Sequence, residues 1–358
     1  MPATELDSRL EGTQSHGRPA RCLRVAAVTG GECAPSRVRV RAYIAPARAF
    51  GVEITEFASR AGLYPPESRW ARPAWGIWNL AEHLPVALQT QKFDITLLQR
   101  EMLSTLVTLE PFTRRPRVLD VDDAIWVHRR GDFTRRLARL SDHIICGNAF
   151  LAEKFSSWNP NVSVLPTPVD TERFVPATES RTSSPVIGWL GLSSGFQFLY
   201  KIESALAEIL KRRPDVLLKI VSDRAPKFRF IPVERLQFVP YSRDREVRDI
   251  QDMTIGIMPI EDSELSRGKC SFKMLLYMAC GIPVVVSPFG MNREVLAWGQ
   301  SGLGASHSDE WVECLESLLD DREARVRMGG VGRRIVVDHY SIEVLAPAFA
   351  QILQSVAA

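Results

Sequence analysis

Several things are missing from this sequence, and each absence excludes a class. Its six cysteines (Cys22, Cys33, Cys146, Cys270, Cys280, Cys314) include no CxxC pair and its six histidines stand without ligand spacing, so neither a zinc site nor a disulfide framework is supported. The thiols read as those of a reduced, cytoplasmic protein. No charge of one sign dominates: 45 Lys and Arg against 42 Asp and Glu leave +3, too balanced to argue for nucleic acid as the partner. No apolar run is long enough to span a bilayer, because the longest uncharged stretch, Met274 to Asn292, is broken by Gly281, Pro283 and Pro288 into a short helix and a short strand. Residues 1–20 carry charges throughout with no apolar h-region, so they read as a disordered tail rather than a signal peptide.

What is present is a globular composition, 45% hydrophobic and 24% charged, in 358 residues, which at about 150 per domain suits two cores. Basic and acidic residues number 22 against 17 through residue 168 and 23 against 25 afterwards, making the first half +5 and the second −2. Short β-branched runs alternate with amphipathic segments: LRVAAV near 23, VEITEF near 52, FDITLL near 93, RVLDVD near 117 and HIIC near 143. The rhythm restarts after VLPTPVDTERFVP with VIGWL, VLLKIV, LQFV, IGIMPI, IPVVVS and a short LGAS. This is βαβ grammar and predicts an α/β protein of two Rossmann-like halves joined near residue 170, over 21–168 and 169–340. The last segment, 341–358, reads as a helix capped by Ser341.

Four places could carry chemistry. The turn TGGECAPSR after the first strand puts Gly30 and Gly31 where backbone can approach an anion, or where a helix merely packs on a strand. VLDVDDAIW sets Asp120, Asp122 and Asp123 at the carboxyl end of a strand, where open sheets bind ligands. The structural alternative is that Asp123 caps the next helix while Asp120 pairs with Arg100 or Arg117, and a divalent metal is the other alternative. In VIGWLGLSSGFQFL, the backbone from Gly191, with Ser193 and Ser194, could cradle a diphosphate or simply cap a helix. In RGKCSFKMLLYMACGIPVVVSPFGMNREVL, Lys269 and Lys273 stand at a helix start, against the dipole, which an anion between them would relieve; solvated lysines are the plain alternative.

The stretch from Arg267 to Gly304, with GKC, FK, YMA, GIPVV, SP, G, N and E, resembles the donor-binding core of family 4 (group 1) glycosyltransferases. LDVDDAIW, CGNAFLAEKF, VLPTPVD, IGWLG and GVGRRIVVDHYS resemble the same family in order, over roughly residues 23 to 356. The resemblance implies the GT-B fold: two Rossmann-like domains facing across a cleft, with the last helix returning to the first domain. It implies a nucleotide-diphosphate sugar held mainly by the second domain and a saccharide, lipid-linked or small-molecule acceptor held by the first. Transfer would retain anomeric configuration without metal or cofactor, the leaving diphosphate accepting the acceptor's proton. Residues assigned on this basis are Asp122, Asp123 and Lys269 for catalysis. For the donor they are Gly30, Gly31, Gly191, Ser193, Ser194, Lys269, Ser271, Lys273, Gly290, Met291, Asn292 and Glu294, and for the acceptor Arg37, Arg100 and Trp126.

The sequence departs from the family where many members carry Glu-x7-Glu, for here those positions are Gly268 and Leu276. Glu294 is available to hold a ribose instead. Asp122 falls where many members place a histidine near the donor sugar. The missing carboxylates support a second reading, a catalytically silent GT-B subunit that binds a sugar nucleotide or a partner enzyme; a sugar-nucleotide 2-epimerase is a third. Arginines cluster in the first half at 37/39/41, 114/115/117, 129/130 and 135/136/139. They predict peripheral contact with an anionic membrane on its inner face, or else a solvated basic surface.

Overall fold

The computed structural model describes residues 22–62, 64–66, 68–179 and 184–358; the expected tail over 1–20 lies outside them. The first domain is built on a parallel sheet of six strands, β1 (Leu23–Thr29), β2 (Val52–Ala58), β3 (Ile95–Gln99), β4 (Arg117–Val121), β5 (His143–Cys146) and β6 (Val162–Val164), in the order β2-β1-β3-β4-β5-β6. The second has β7 (Val186–Leu190), β8 (Leu217–Ser222), β9 (Leu236–Pro240), β10 (Ile255–Met258), β11 (Val284–Val286) and β12 (Gly302–Gly304), in the order β12-β11-β10-β7-β8-β9. Every residue of β3, β4, β7 and β10 is buried, as expected of central strands covered by helices on both faces. That is why these strands read as continuous apolar runs rather than alternating ones.

Strand order reverses between β1 and β3 in the first sheet and between β7 and β10 in the second. Neighbouring connections leave such a point in opposite directions and open a crevice beyond the strand carboxyl ends. Those crevices lie after Thr29 and Gln99 in one domain and after Leu190 and Met258 in the other.

The chain passes between domains twice, side by side. Val169 N–H donates to Tyr340 O at 2.7 Å and Ile342 N–H to Val169 O at 3.1 Å. Arg333 straps the first passage by donating to Thr171 O at 2.8 Å and to Ala279 O at 2.9 Å. After the second passage the Ser341 side chain caps the helix Ile342–Ala357 by accepting from Val344 N–H. That helix returns to the first domain, where Leu345, Phe349 and Leu353 complete the core around Val25, Tyr43 and Ile95. Phe349 stacks on Tyr43 with ring centroids 4.2 Å apart.

The segment after β1 is helical, as its sequence suggests, but it is not one regular helix. Arg37–Arg41 form a π-helical turn between two short α turns, and Pro46–Phe50 tighten to 3-10. The wider turn turns Arg39 inward, 1% exposed, beneath the carboxyl end of the sheet.

Candidate functional site

In the first domain the site begins with ion pairs. Asp120, next to the last residue of β4, is fully buried and receives Arg39 in a bidentate clasp, Nη2 to Oδ1 at 2.6 Å and Nε to Oδ2 at 3.1 Å. Sequence reasoning had offered Arg100 or Arg117 as its partner. Arg117 instead donates to Thr113 and Pro111, and Arg100 holds Asp122, through Nε at 2.9 Å and Nη2 at 2.7 Å. Arg100 adopts a left-handed backbone, φ 65°, a strained choice for a non-glycine residue. Its amide still donates to Asp120 O at 3.1 Å, while its Nη1 reaches the Tyr64 hydroxyl at 3.3 Å. Asp123 accepts from the Ala124 amide at 2.9 Å.

In the second domain the turn after β7 is packed around Trp189. A Cβ on Gly191 would stand 2.9 Å from that indole and 3.0 Å from Lys273 Nζ, so only glycine leaves room for both. The Lys273 ammonium lies 4.5 Å from the Trp189 ring centroid. Among the described residues neither Lys273 nor Lys269 forms an ion pair with a carboxylate. Burial, and to a lesser degree the neighbouring charge of Lys269, together lower Lys273 to about 7. Ser193 turns away from this amine: its amide and hydroxyl both donate to Asp223, at 2.6 and 2.8 Å. Partial burial works to raise the Asp223 carboxyl, but these hydrogen bonds hold it below the usual range. Ser194 is exposed on the same turn.

The loop after β10 carries the rest. Ser271, φ 49°, donates its hydroxyl to Asn292 Oδ1 at 2.7 Å, and Asn292 Nδ2 donates to Ser287 O at 3.0 Å. Both side chains are buried and used on each other, so they lock the start of the helix Phe272–Ala279 to the turn after β11. Gly290, φ 52°, lets that turn approach Arg267, whose Cα a Cβ would meet at 2.9 Å. Met291 is buried in the core, whereas Glu294 is exposed in the first turn of the helix Met291–Ala297.

The two halves meet through this same loop. Asn148, which caps the helix Ala149–Ser156, donates its amide to the carbonyls of Arg267 at 3.2 Å and Lys269 at 3.1 Å. Cys270 Sγ donates to Asp122 O at 3.2 Å, and burial pushes its thiol up to about 12. Trp126 Nε1 donates to Glu264 at 3.1 Å. Asp122, Asp123 and Lys269 are thereby gathered at one interdomain contact; Lys269 lies in the loop before the helix Phe272–Ala279, separated from Lys273 on that helix by the left-handed Ser271.

Other assigned residues stand elsewhere or are engaged. Trp126 is 5% exposed with its ring packed on Phe150, Phe155 and Trp158. Arg37 donates to the Tyr241 hydroxyl at 2.8 Å beside Glu246 and lines a cavity of about 390 Å³ along the crossing segment with Asp170, Arg173 and Arg243. Gly30 and Gly31 are buried, and a Cβ on Gly31 would strike Ser59 O at 2.1 Å, so Gly31 serves close packing of the turn after β1 against the end of β2. Much of the arginine-rich character is neutralised internally, for Arg39 pairs with Asp120, Arg41 with Glu56 and Glu32, and Arg115 with Asp142.

Sequence reasoning missed Tyr64, Trp189, Asp223 and the cross-domain role of Asn148. Only Asn148 carried a usable signal, an N-cap residue before an apolar run. The positions of the absent Glu-x7-Glu are both closed: a Cβ on Gly268 would stand 2.6 Å from Ala124 Cβ, and Leu276 is 1% exposed in the core.

Two Rossmann-like domains with strand ends apposed and the last helix returned to the first domain define a GT-B protein. Residues 184–321 match the family model described as Glycosyl transferases group 1. Over 221 residues the chain is 28% identical to a GDP-mannose-dependent monoacylated alpha-(1-6)-phosphatidylinositol monomannoside mannosyltransferase of Corynebacterium glutamicum, covering 55% of this chain and 57% of that one. Over 245 residues it is 23% identical to the lipopolysaccharide core biosynthesis glycosyltransferase LpsE of Rhizobium meliloti, covering 65% of this chain and 70% of that one. The solved structure of Anabaena Alr3699/HepE in complex with UDP and glucose superposes with a TM-score of 0.70 at 14% identity, over 93% of this chain and all of that one.

Proposed function

We propose that this chain is a glycosyltransferase that moves a sugar from a nucleotide-diphosphate sugar to a hydroxyl of a saccharide, lipid-linked or small-molecule acceptor, with retention of configuration and without a metal. The observation that carries this reading is the half-buried Lys273 amine, at the glycine turn where the second sheet switches direction, with no carboxylate partner among the described residues. A cation held near neutral pKa in such a place is stabilised by a dianionic ligand and not by the protein itself. Relatives named as glycosyltransferases, together with the group 1 match over 184–321, support the same chemistry.

In the reaction the bond from the sugar's anomeric carbon to the diphosphate oxygen breaks and a bond from that carbon to the acceptor oxygen forms. The acceptor's proton passes to the leaving diphosphate. Lys273 and Lys269 stabilise the charge gathering on that diphosphate, and no protein base is needed. Arg100 fixes Asp122 at the domain contact, where its free lone pairs can accept from a sugar hydroxyl. Glu294, exposed at a helix start beside the donor loop, is the carboxylate left to hold a ribose.

The test is a thermal-shift panel of UDP, GDP, ADP and their sugar conjugates with and without EDTA, followed by donor turnover in Asp122→Ala. A ligand at 100 times its dissociation constant adds about 2.7 kcal/mol of stability. Stabilisation by one nucleotide family, indifferent to EDTA, with turnover lost in the variant, is the expected result. The closure of positions 268 and 276 favours a second reading, a silent nucleotide-binding subunit, for which nucleotides stabilise but no acceptor accelerates sugar release.

A further inference from the structure

The domains also meet at a buried carboxylate beside the linker. Glu246 follows β9 in the second domain and is 2% exposed. Arg173 donates to its Oε2 at 3.1 Å, and the Tyr241 hydroxyl donates to its Oε1 at 3.2 Å. Arg37 of the first domain donates to that hydroxyl at 2.8 Å and stands 3.6 Å from Glu246 Oε1. These partners differ in what they are fixed to. Arg333 donates to Thr171 O and Phe174 O, and Gln251 Nε2 donates to Val175 O at 2.8 Å, so the segment bearing Arg173 is fastened to the second domain. Glu246 therefore keeps Arg173 and Tyr241 at any angle between the domains, whereas Arg37 reaches it only across the gap. Arg37 is itself firmly rooted, since Arg39, two residues on, clasps Asp120 and donates to Leu165 O at 2.7 Å. The cavity of about 390 Å³ behind this contact means that polar bonds rather than close packing hold the domains together here.

We propose that Arg37 is a positioning residue, the first-domain half of a latch that engages Tyr241 and Glu246 when the domains are together and so keeps the cleft closed without a ligand. A contact shifts an equilibrium only if it is made in one state and not in the other. Arg37 meets that condition and Arg173 does not. The latch can also release. Burial of the Glu246 carboxylate is already compensated within the second domain by Arg173 and Tyr241, so opening the cleft strands no unpaired buried charge. Arg37 for its part returns to water, being 23% exposed even when engaged. The bonds of Asn148, Cys270 and Trp126 join the domains at the donor loop, while the Arg37 contact joins them beside the linker. Resting on the glycosyltransferase reading, the latch offers Asp122 and the two lysines to the donor already apposed. Its loss leaves a smaller competent fraction and raises the apparent donor dissociation constant by the inverse of that fraction. The latch itself does not depend on that reading.

The experiment is alkylation of the ligand-free full chain by N-ethylmaleimide, followed peptide by peptide by mass spectrometry. Cys270 reports on closure, since its buried thiol packs on Gly147 and donates to Asp122 O across the domains. Cys280, 1% exposed inside the second domain, reports on unfolding. Arg37→Met should speed alkylation of Cys270 by about 10- to 100-fold, the worth of a hydrogen bond to a charged group, and leave Cys280 and the thermal transition unchanged. Arg37→Lys, which keeps the charge but not the fork, should fall between variant and wild type, as should Tyr241→Phe. Donor KM should rise in Arg37→Met by the same factor with kcat at saturation unchanged. A Cys270 rate equal to wild type in Arg37→Met would overturn the proposal. So would equal acceleration at Cys270 and Cys280, which marks a merely structural loss, or a wild-type Cys270 as reactive as the half-exposed Cys314. If no nucleotide binds while Cys270 protection still follows Arg37, it is the glycosyltransferase reading that falls, and the latch stands.

Discussion

The two domains treat charge at their strand ends in opposite ways. In the first, the three aspartates after β4 are answered from within: Asp120 by Arg39, Asp122 by Arg100 and Asp123 by the Ala124 amide. In the second, Lys269 and Lys273 form no ion pair with a carboxylate among the described residues, and Lys273 rests on an indole instead. The first domain's strand-end charges are paired internally, and the second domain's two lysines are not. Under the proposed transfer the first would offer a preorganised surface to an uncharged hydroxyl, while the second would gain polar partners from a diphosphate.

The contrast can be broken most forcefully in the first domain. Asp120→Ala leaves the Arg39 guanidinium buried without its partner and should cost about 3–5 kcal/mol of stability, read by urea unfolding; a change below about 1 kcal/mol would mean that the clasp is not what completes this domain. The mirror experiment, Lys273→Gln, should leave the unfolding midpoint unchanged or raised. Nucleotide affinity should fall by about 1.5–3 kcal/mol, the worth of a hydrogen bond to a charged group, as measured by calorimetry. Equal affinity in the variant would remove Lys273 from the diphosphate site.

Titration sharpens the same point. Lys273 sits at about 7 in the folded chain against 10.5 for an ordinary lysine, so between those values the unfolded chain binds a proton that the folded one does not. Stability of the nucleotide-free protein should accordingly rise with pH across that window. Nucleotide affinity should fall there by up to about tenfold per pH unit, because the amine must be protonated to meet the diphosphate, and Lys273→Gln should flatten both slopes. Smallest of all, Trp126→Phe keeps the ring packing but removes the hydrogen bond to Glu264. It should weaken nucleotide binding by about 0.5–1.5 kcal/mol if that contact helps to bring the domains together, and leave it untouched if not.

Eleven of the twelve strands and the parallel sense of both sheets were legible in the sequence because buried strands leave β-branched runs, whereas the return of the last helix was implied by the family resemblance alone. β6 was not recognised: Val162–Val164 is short and half-exposed, and the prolines of VLPTPVD that follow it mask the pattern. At the site, the donor loop was legible as a motif, but what its residues do was not. Ser271 and Asn292 are bonded to each other across 21 positions, and Ser193 is turned to Asp223, relations that spacing does not encode. The partner of Asp120 was misassigned because Arg39 lies 81 positions upstream, on a π-helical turn that helical periodicity cannot anticipate.

The return of the Ile342–Ala357 helix to the first domain also bears on the order in which the protein can be made. Phe349 and Leu353 fill the core around Tyr43 and Val25, yet they leave the ribosome about 300 residues later, roughly 15–60 s at ordinary elongation rates. The domain begun first is the one completed last. During that interval its sheet stands with one apolar face uncovered, while the whole of the second domain is synthesised and can fold on its own contacts. Synthesis of the Ile342–Ala357 helix is then a closing step: it seals the older half of the molecule with a segment made after the whole of the second domain.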